Sequence, residues 1–377
     1  MKKIALLTPA HPLRGGIAAS SERLATELQN TGYEVVIYSF SLQYPGFLFP
    51  GKTQFTDDPA PGLVIFTKIN SVNPLNWWQV GRELKKQKFD LLVSRFWLPF
   101  MGPCLGTVQR IAKQNGHTKT ICIADNIIPH EARPGDRLFT QYFASSVDAF
   151  IAMSRSVLED IKQFSGRPSL FVPHPIYDTY GKICGREEAL AHLGLDSSFR
   201  YLLFFGFIRD YKGLDLLLHA LADLRLRQMK TKLIIAGEYY GNREFYEKLI
   251  AELGIGGQLV IRSDYIPNEE VRYYFGAADL VVQPYKSATQ SGISQMAYHF
   301  EKPMVVTDVG GLPEIVPHGK AGYVVPVDAQ AIADAVFDFF QNNKMEVMAR
   351  GVAEEKKRFS WSNLVEGIEE LFEKISS

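Results

Sequence analysis

Residues 3–40, KIALLTPAHPLRGGIAASSERLATELQNTGYEVVIYSF, begin with a short unbroken apolar run. A loop with Pro and Gly follows. Apolar residues then recur at helical spacing, with Ile17, Leu24 and Leu28 on one stripe, before a second apolar run. Residues 201–237, YLLFFGFIRDYKGLDLLLHALADLRLRQMKTKLIIAG, repeat the plan. Continuous apolar runs suit strands buried on both faces, so each segment is expected to be a βαβ unit opening a parallel α/β domain. Further strands are expected at GLVIFTKI, FDLLVSRF, KTICIAD and VDAFIAMS in the first half. In the second they are expected at GQLVIRSDYI, ADLVVQPY, KPMVVTDV and AGYVVPV. Between the halves lies a stretch rich in Pro, Gly and polar residues, read as a connection over 176–199. One large doubly wound sheet is the alternative, but ten or more strands in one open sheet would be unusual. The tail FSWSNLVEGIEELFEKI places Phe359 and Trp361 ahead of an amphipathic helix, whose apolar stripe must be buried.

A chain of 377 residues exceeds the size at which single cores stop growing, which favours two domains. Net charge is zero, against a nucleic-acid binder. The charge is uneven: residues 1–180 carry 19 Lys+Arg against 14 Asp+Glu, and the remainder 22 against 27. Cys104, Cys122 and Cys184 are few and scattered, which argues against a disulfide framework or a metal site and for a reducing, cytoplasmic setting. The start, MKKIALLTPAHP, is too short in apolar residues for a signal peptide, and no apolar run is long enough to span a membrane.

The stretch RDYKGLDLLLHA sets two cations, Arg209 and Lys212, at the mouth of a helix. A helix N-terminus after a strand and a Gly-containing loop is an anion site, but its dipole supplies only about half a charge. A diphosphate carries more. Arg209 could grip a phosphate through its fork and Lys212 add a point charge, so the pair suits a departing diphosphate. The alternative is that both are solvated loop residues.

The series GFIRDYKGLDLLLHAL, LIIAGE, YIPNEEVRYYFGAADLVVQPY, KPMVVTDVGGLPEIV and GYVVPVD, in that order, resembles the retaining nucleotide-sugar glycosyltransferases of group 1 (family four), which have the GT-B fold. The resemblance covers nearly all of 200–330 and the tail; the first half matches more loosely, through GGI. It implies two Rossmann-like domains facing a cleft, with the last helix crossing back to the first domain. These would be 1–175 plus 361–377 for the acceptor and 200–355 for the nucleotide sugar. It further implies a UDP- or GDP-sugar donor, which is a substrate rather than a cofactor, and a glycan or lipid-linked acceptor. Arg209 and Lys212 would hold the donor diphosphate, with Gly15 and Gly16 approaching the donor by backbone N–H or else forming an ordinary turn. Gly310 and Gly311 read as a tight turn that Glu314 could cap. Catalysis in such enzymes is understood as front-side attack without a protein nucleophile, so the protein positions reactants and stabilises charge.

Two departures stand out. The family's two Glu residues fall on Ala288 and Met296, and a family Gly falls on Ser291 with Gly292 beside it. Neither Ala288 nor Met296 can replace a carboxylate. Gln290 and Gln295 are neutral substitutes, and Thr289 and Ser291 either face the phosphates, cap the following helix, or do both. In the first half, where the family often has a His after a central strand, Asp125 and Asn126 stand instead, with His130 and Glu131 further on. His130 and Asp125 are the leading candidates there, against a plain loop with a capping Asp.

Two stretches suggest a peripheral membrane contact. Residues 44–50 carry Tyr44, Phe47, Leu48 and Phe49, and residues 74–88 join Trp77 and Trp78 to Arg82, Lys85, Lys86 and Lys88. Alternatively, a helix packs both Trp residues inward. The rival functions are another enzyme of the same fold, an epimerase or phosphorylase-like protein, and a non-catalytic sugar-nucleotide binding or scaffolding subunit.

Overall fold

The computed structural model describes residues 2–45, 54–56, 59–129, 133–288 and 291–377. The chain forms two compact units, one of residues 1–174 with 361–377 and one of 175–360.

Unit 1 is built on a seven-stranded parallel sheet. Its strands are β1 (Lys3–Leu7), β2 (Glu34–Leu42), β3 (Ile65–Asn70), β4 (Leu91–Phe96), β5 (Lys119–Ala124), β6 (Ala149–Ala152) and β7 (Ser169–Phe171). They lie in the order β3-β2-β1-β4-β5-β6-β7. Side chains alternate along β1: Ile4 and Leu6 enter one core layer, Ala5 and Leu7 the other. The helix Trp361–Ser376 covers the Ile4 side through Trp361, Leu364, Ile368 and Leu371. Each such side chain stabilises by about 1.5–3 kcal/mol when fully buried. Gly367 is required for this docking, since a Cβ there would fall 2.8 Å from Val172. The final helix therefore completes the first unit, as expected.

Unit 2 holds a six-stranded parallel sheet: β8 (Arg200–Phe205), β9 (Thr231–Ala236), β10 (Leu259–Arg262), β11 (Leu280–Gln283), β12 (Met304–Thr307) and β13 (Gly322–Val325). The order is β10-β9-β8-β11-β12-β13. The stretch 176–199, read as a bare connection, differs from that expectation. It carries the helix Arg186–Leu193, whose Ala189 and Leu190 are buried. Arg186 is tied to the buried Asp279 at 2.9 Å. These contacts make it part of unit 2. β7 is also additional to the strands expected from the sequence.

In both sheets strand order reverses beside the first strand, between β1 and β4 and between β8 and β11. Ligands of open α/β sheets bind at the carboxyl ends of strands around such points. No helix among the described residues is long and apolar enough to cross a membrane.

Candidate functional site

The loop after β8 is interlocked with the loop after β11. Gly213 has φ +68°, and a Cβ on it would lie 1.9 Å from the Pro284 carbonyl oxygen. Only Gly tolerates both that backbone and that approach. Lys286 N–H donates to the Tyr211 carbonyl at 2.7 Å. Between these anchors, Asp210–Lys212 forms one 3-10 turn, with Lys212 N–H donating to Arg209 O at 2.9 Å. The turn carries the Lys212 side chain inward, where the residue is 9% exposed. Its ammonium lies against Gly206, where an added Cβ would be 3.2 Å from Nζ, and 5.8 Å from the Tyr285 ring centroid. Among the described residues no carboxylate is within ion-pair distance of it. Burial, and secondarily the charge of Arg209, pushes the Lys212 amine down to about 8. The Arg209 guanidinium sits 4.8 Å from the Tyr240 ring centroid. Lys212 is thus not the solvated loop cation that the sequence left open, and the Arg209 guanidinium carbon lies over an aromatic ring.

Ser291 continues the site. It caps the helix Gly292–His299, its hydroxyl accepting from Ile293 N–H at 3.2 Å, and it shares a 3.3 Å hydrogen bond with the Tyr285 hydroxyl. Tyr285 therefore links Ser291 to Lys212. Gly292 makes room for Tyr177, whose Cε2 would be 2.9 Å from a Cβ there. Gln295 is fully buried and, among the described residues, its Oε1 has no hydrogen-bond partner; the same holds for Gln283 Nε2, while Gln283 Oε1 accepts from Ser294 Oγ at 3.0 Å. Met296 lies within the apolar core and Ala288 packs on its edge. Thr289 and Gln290 fall outside the described residues. Gly310, at φ +52°, forms the turn ahead of the short helix Leu312–Ile315 that holds Glu314.

In unit 1, Gly15 (φ +123°) precedes the helix Gly16–Asn30, and both glycines are exposed. Asp125 stands at the end of β5, where it accepts from Arg95 through both oxygens, one bond being 2.9 Å from Arg95 Nε. Arg95 is buried and also donates to Ser20 Oγ at 3.2 Å. The Asp125 carboxylate is therefore bound to a guanidinium. His130 and Glu131 lie outside the described residues. Arg95 had no mark in the sequence, being one polar residue within an apolar strand.

The second aromatic stretch divides. Trp77 turns inward and donates Nε1–H to Asn70 O at 2.7 Å, whereas Trp78 is 50% exposed beneath Arg82. The Trp residues thus do not pack inward as a pair, because neighbours on a helix face different directions. Tyr44, counted with the exposed aromatics, is half-buried and bonded to Trp97. Residues 46–50 lie outside the described residues.

Solved structures share this architecture along the whole chain. A glycosyltransferase from Rickettsia africae gives a TM-score of 0.75 at 15% identity, covering all of this chain and 99% of that one. Anabaena HepE in complex with UDP gives 0.73 at 17%, covering 99% and 100%. The fold is therefore GT-B. The family model described as Glycosyl transferases group 1 matches residues 185–358, and that described as Glycosyltransferase Family 4 matches residues 14–178. The chain belongs to the group 1, family four glycosyltransferases. Among relatives, a D-inositol 3-phosphate glycosyltransferase of Corynebacterium urealyticum is 28% identical over 65% of this chain, which spans 61% of that protein's length. An uncharacterized glycosyltransferase of Methanocaldococcus jannaschii is 22% identical over 99% of both chains.

Proposed function

We propose that the chain moves a sugar from a nucleotide-diphosphate donor, a UDP- or GDP-sugar, to a glycan or lipid-linked acceptor, with retention. The observation that carries this reading is Lys212, a buried cation with no carboxylate partner among the described residues, at the reversal of strand order, with Arg209 beside it. A buried cation without a counter-charge is costly and suits a site whose ligand brings the negative charge. As the bond to the sugar breaks, charge grows on the diphosphate, where Lys212 and Arg209 are already in place. Ser291, Gly292 and Gln295 of the helix Gly292–His299 and its cap, their sequence neighbours Thr289 and Gln290, and Gly15 and Gly16 in unit 1, are the further donor contacts in this reading. His130 and Asp125 are assigned to the sugar or acceptor side, with Asp125 acting as a positioned partner of Arg95. The UDP complex of the Anabaena protein is compatible with such a donor.

Calorimetry with UDP, GDP and ADP tests donor binding, and NMR of the product's anomeric signal tests retention. Turnover is expected to survive EDTA. A second reading is a non-catalytic sugar-nucleotide binding homologue, favoured by Ala288 and Met296 at the positions of the family's carboxylates. Tight nucleotide binding without transfer to any acceptor extract would support it.

The acceptor side is assigned to the cytoplasmic face of a membrane. The outer face of the helix Pro74–Gln87 presents Leu75, 74% exposed, and Trp78 in line with Arg82 and Lys86. Such a face suits an anionic lipid surface. Sedimentation with phosphatidylserine vesicles should lose binding in Trp78→Ser; equal binding by that variant would remove the assignment.

A further inference from the structure

The chain passes from unit 1 to unit 2 at 174–175 and returns at 360–361. Inside unit 2 the entering and leaving segments are bonded together, Ile176 N–H donating to Phe359 O at 2.9 Å. Both segments dock on the helix Gly292–His299. The leaving one packs the Phe359 ring on Tyr298, 4.6 Å between centroids, and brings Lys356 Nζ to the His299 carbonyl oxygen at 3.0 Å. The entering one lays the half-buried Tyr177 on the helix start, so close that a Cβ on Gly292 would meet Cε2 of the ring at 2.9 Å. The same helix start walls Lys212. Ile293 and Lys212 meet over Gly206, where an added Cβ would lie 3.3 Å from Ile293 Cδ1 and 3.2 Å from Lys212 Nζ. Ser291, the helix cap, shares its hydroxyl bond with Tyr285, whose ring centroid is 5.8 Å from Lys212 Nζ.

We propose that Tyr177 is a positioning residue for the anion site: its ring seats the start of the helix Gly292–His299, and that helix start keeps Lys212 enclosed. The proposal rests on the diphosphate reading of the Lys212 loop. Protein interiors are close-packed and transmit displacements. Without the ring, the helix start shifts into the vacated space, and Ile293 and, through Ser291, Tyr285 draw away from Lys212. Water then reaches the ammonium. A hydrated ammonium gains less from an arriving anion than an enclosed one, because the local dielectric is higher. Among the described residues, the charged and titratable groups set against Lys212 are Arg209 on its own turn and Tyr285 on the neighbouring loop. Neither is altered by a change at Tyr177, so a change at Lys212 reports the helix. In this role Tyr177 acts without touching the ligand.

Titration calorimetry of the whole chain with inorganic pyrophosphate at pH 7 tests this in wild type, Tyr177→Phe, Tyr177→Ala, Gly292→Ala and the double Ala variant. Tyr177→Phe keeps the ring and should match wild type. Tyr177→Ala should bind about 5- to 30-fold more weakly. Gly292→Ala reaches the same contact from the helix side. It should weaken binding on its own and cost little more in the Tyr177→Ala background. Competitive acetylation from pH 7 to 11, read on the peptide carrying Lys212, should show that amine titrating near 8 in wild type and moved up towards 10.5 in Tyr177→Ala. A ring that only stabilised the fold would lower the melting temperature without moving this titration. Melting curves confirm that each variant is folded. Wild-type affinity in Tyr177→Ala, an unmoved Lys212 titration, or a Gly292→Ala penalty undiminished in the double variant would each overturn the role alone. A wild type that binds no pyrophosphate would overturn the diphosphate reading and this role with it.

Discussion

Arg95 and Lys212 are both buried cations near the place where strand order reverses in their own sheets, and their surroundings are opposite. Arg95 is gripped by both oxygens of Asp125 and by Ser20. Lys212 has Gly206, an aromatic ring and another cation, Arg209, around it. The first arrangement is electrostatically closed and holds the ends of β4 and β5 to the helix Gly16–Asn30. The second is open: among the described residues no carboxylate balances Lys212, and in the proposed reading a donor anion does. Burial of a cation thus points to an anion site only when its counter-charge is missing.

The same substitution at the two positions should break this comparison or confirm it. Arg95→Met leaves the Asp125 carboxylate without its partner and is expected to cost about 3–5 kcal/mol, read from urea unfolding. Adding Asp125→Leu should recover most of the loss; no recovery would mean that Arg95 acts by shape rather than charge. Lys212→Met should instead cut kcat about 10²- to 10³-fold while the melting temperature holds or rises. A fall in melting like that of Arg95→Met would show Lys212 to be structural.

The pH dependence sharpens the contrast. Burial holds the Lys212 amine near 8, below its ordinary 10.5, so the folded state carries a cost for the charged form. That cost is present below pH 8 and is relieved as pH rises from about 8 towards 10.5, because the unfolded chain then binds the extra proton. Over this window the free protein should gain stability from this group. Pyrophosphate affinity should fall as pH rises above about 8, as the amine loses its charge. Calorimetry across pH 7–9.5 checks this, with Lys212→Met as the flat control; a wild type as flat as that variant would reject the role. The smallest effect is expected from Ser291→Ala, about 1 kcal/mol in thermal melting from the lost cap.

Much of this architecture was legible beforehand. Both βαβ openings, eight further strands and the last helix show as apolar periodicity, because a strand buried on both faces needs continuous apolar residues. β7 was not legible, since Ser169–Phe171 is three residues long and half-buried. The helix Arg186–Leu193 was hidden within a stretch rich in Pro and Gly. Arg209 and Lys212 were visible as two cations at a helix mouth, but their environments were not. Trp77 and Trp78 are adjacent in sequence and face different surroundings.

The sequence by itself determined which segments form strands and helices, that the chain divides in two, and which family it belongs to. These follow from the side-chain period and from motif order, which are local properties. Only the tertiary structure decided which charges are neutralised. It brought Asp125 to Arg95 across 30 positions, left Lys212 beside Gly206 with no carboxylate among the described residues, and set Tyr240 beneath Arg209. A counter-charge is a matter of distance and burial, and neither is written in the order of residues along the chain.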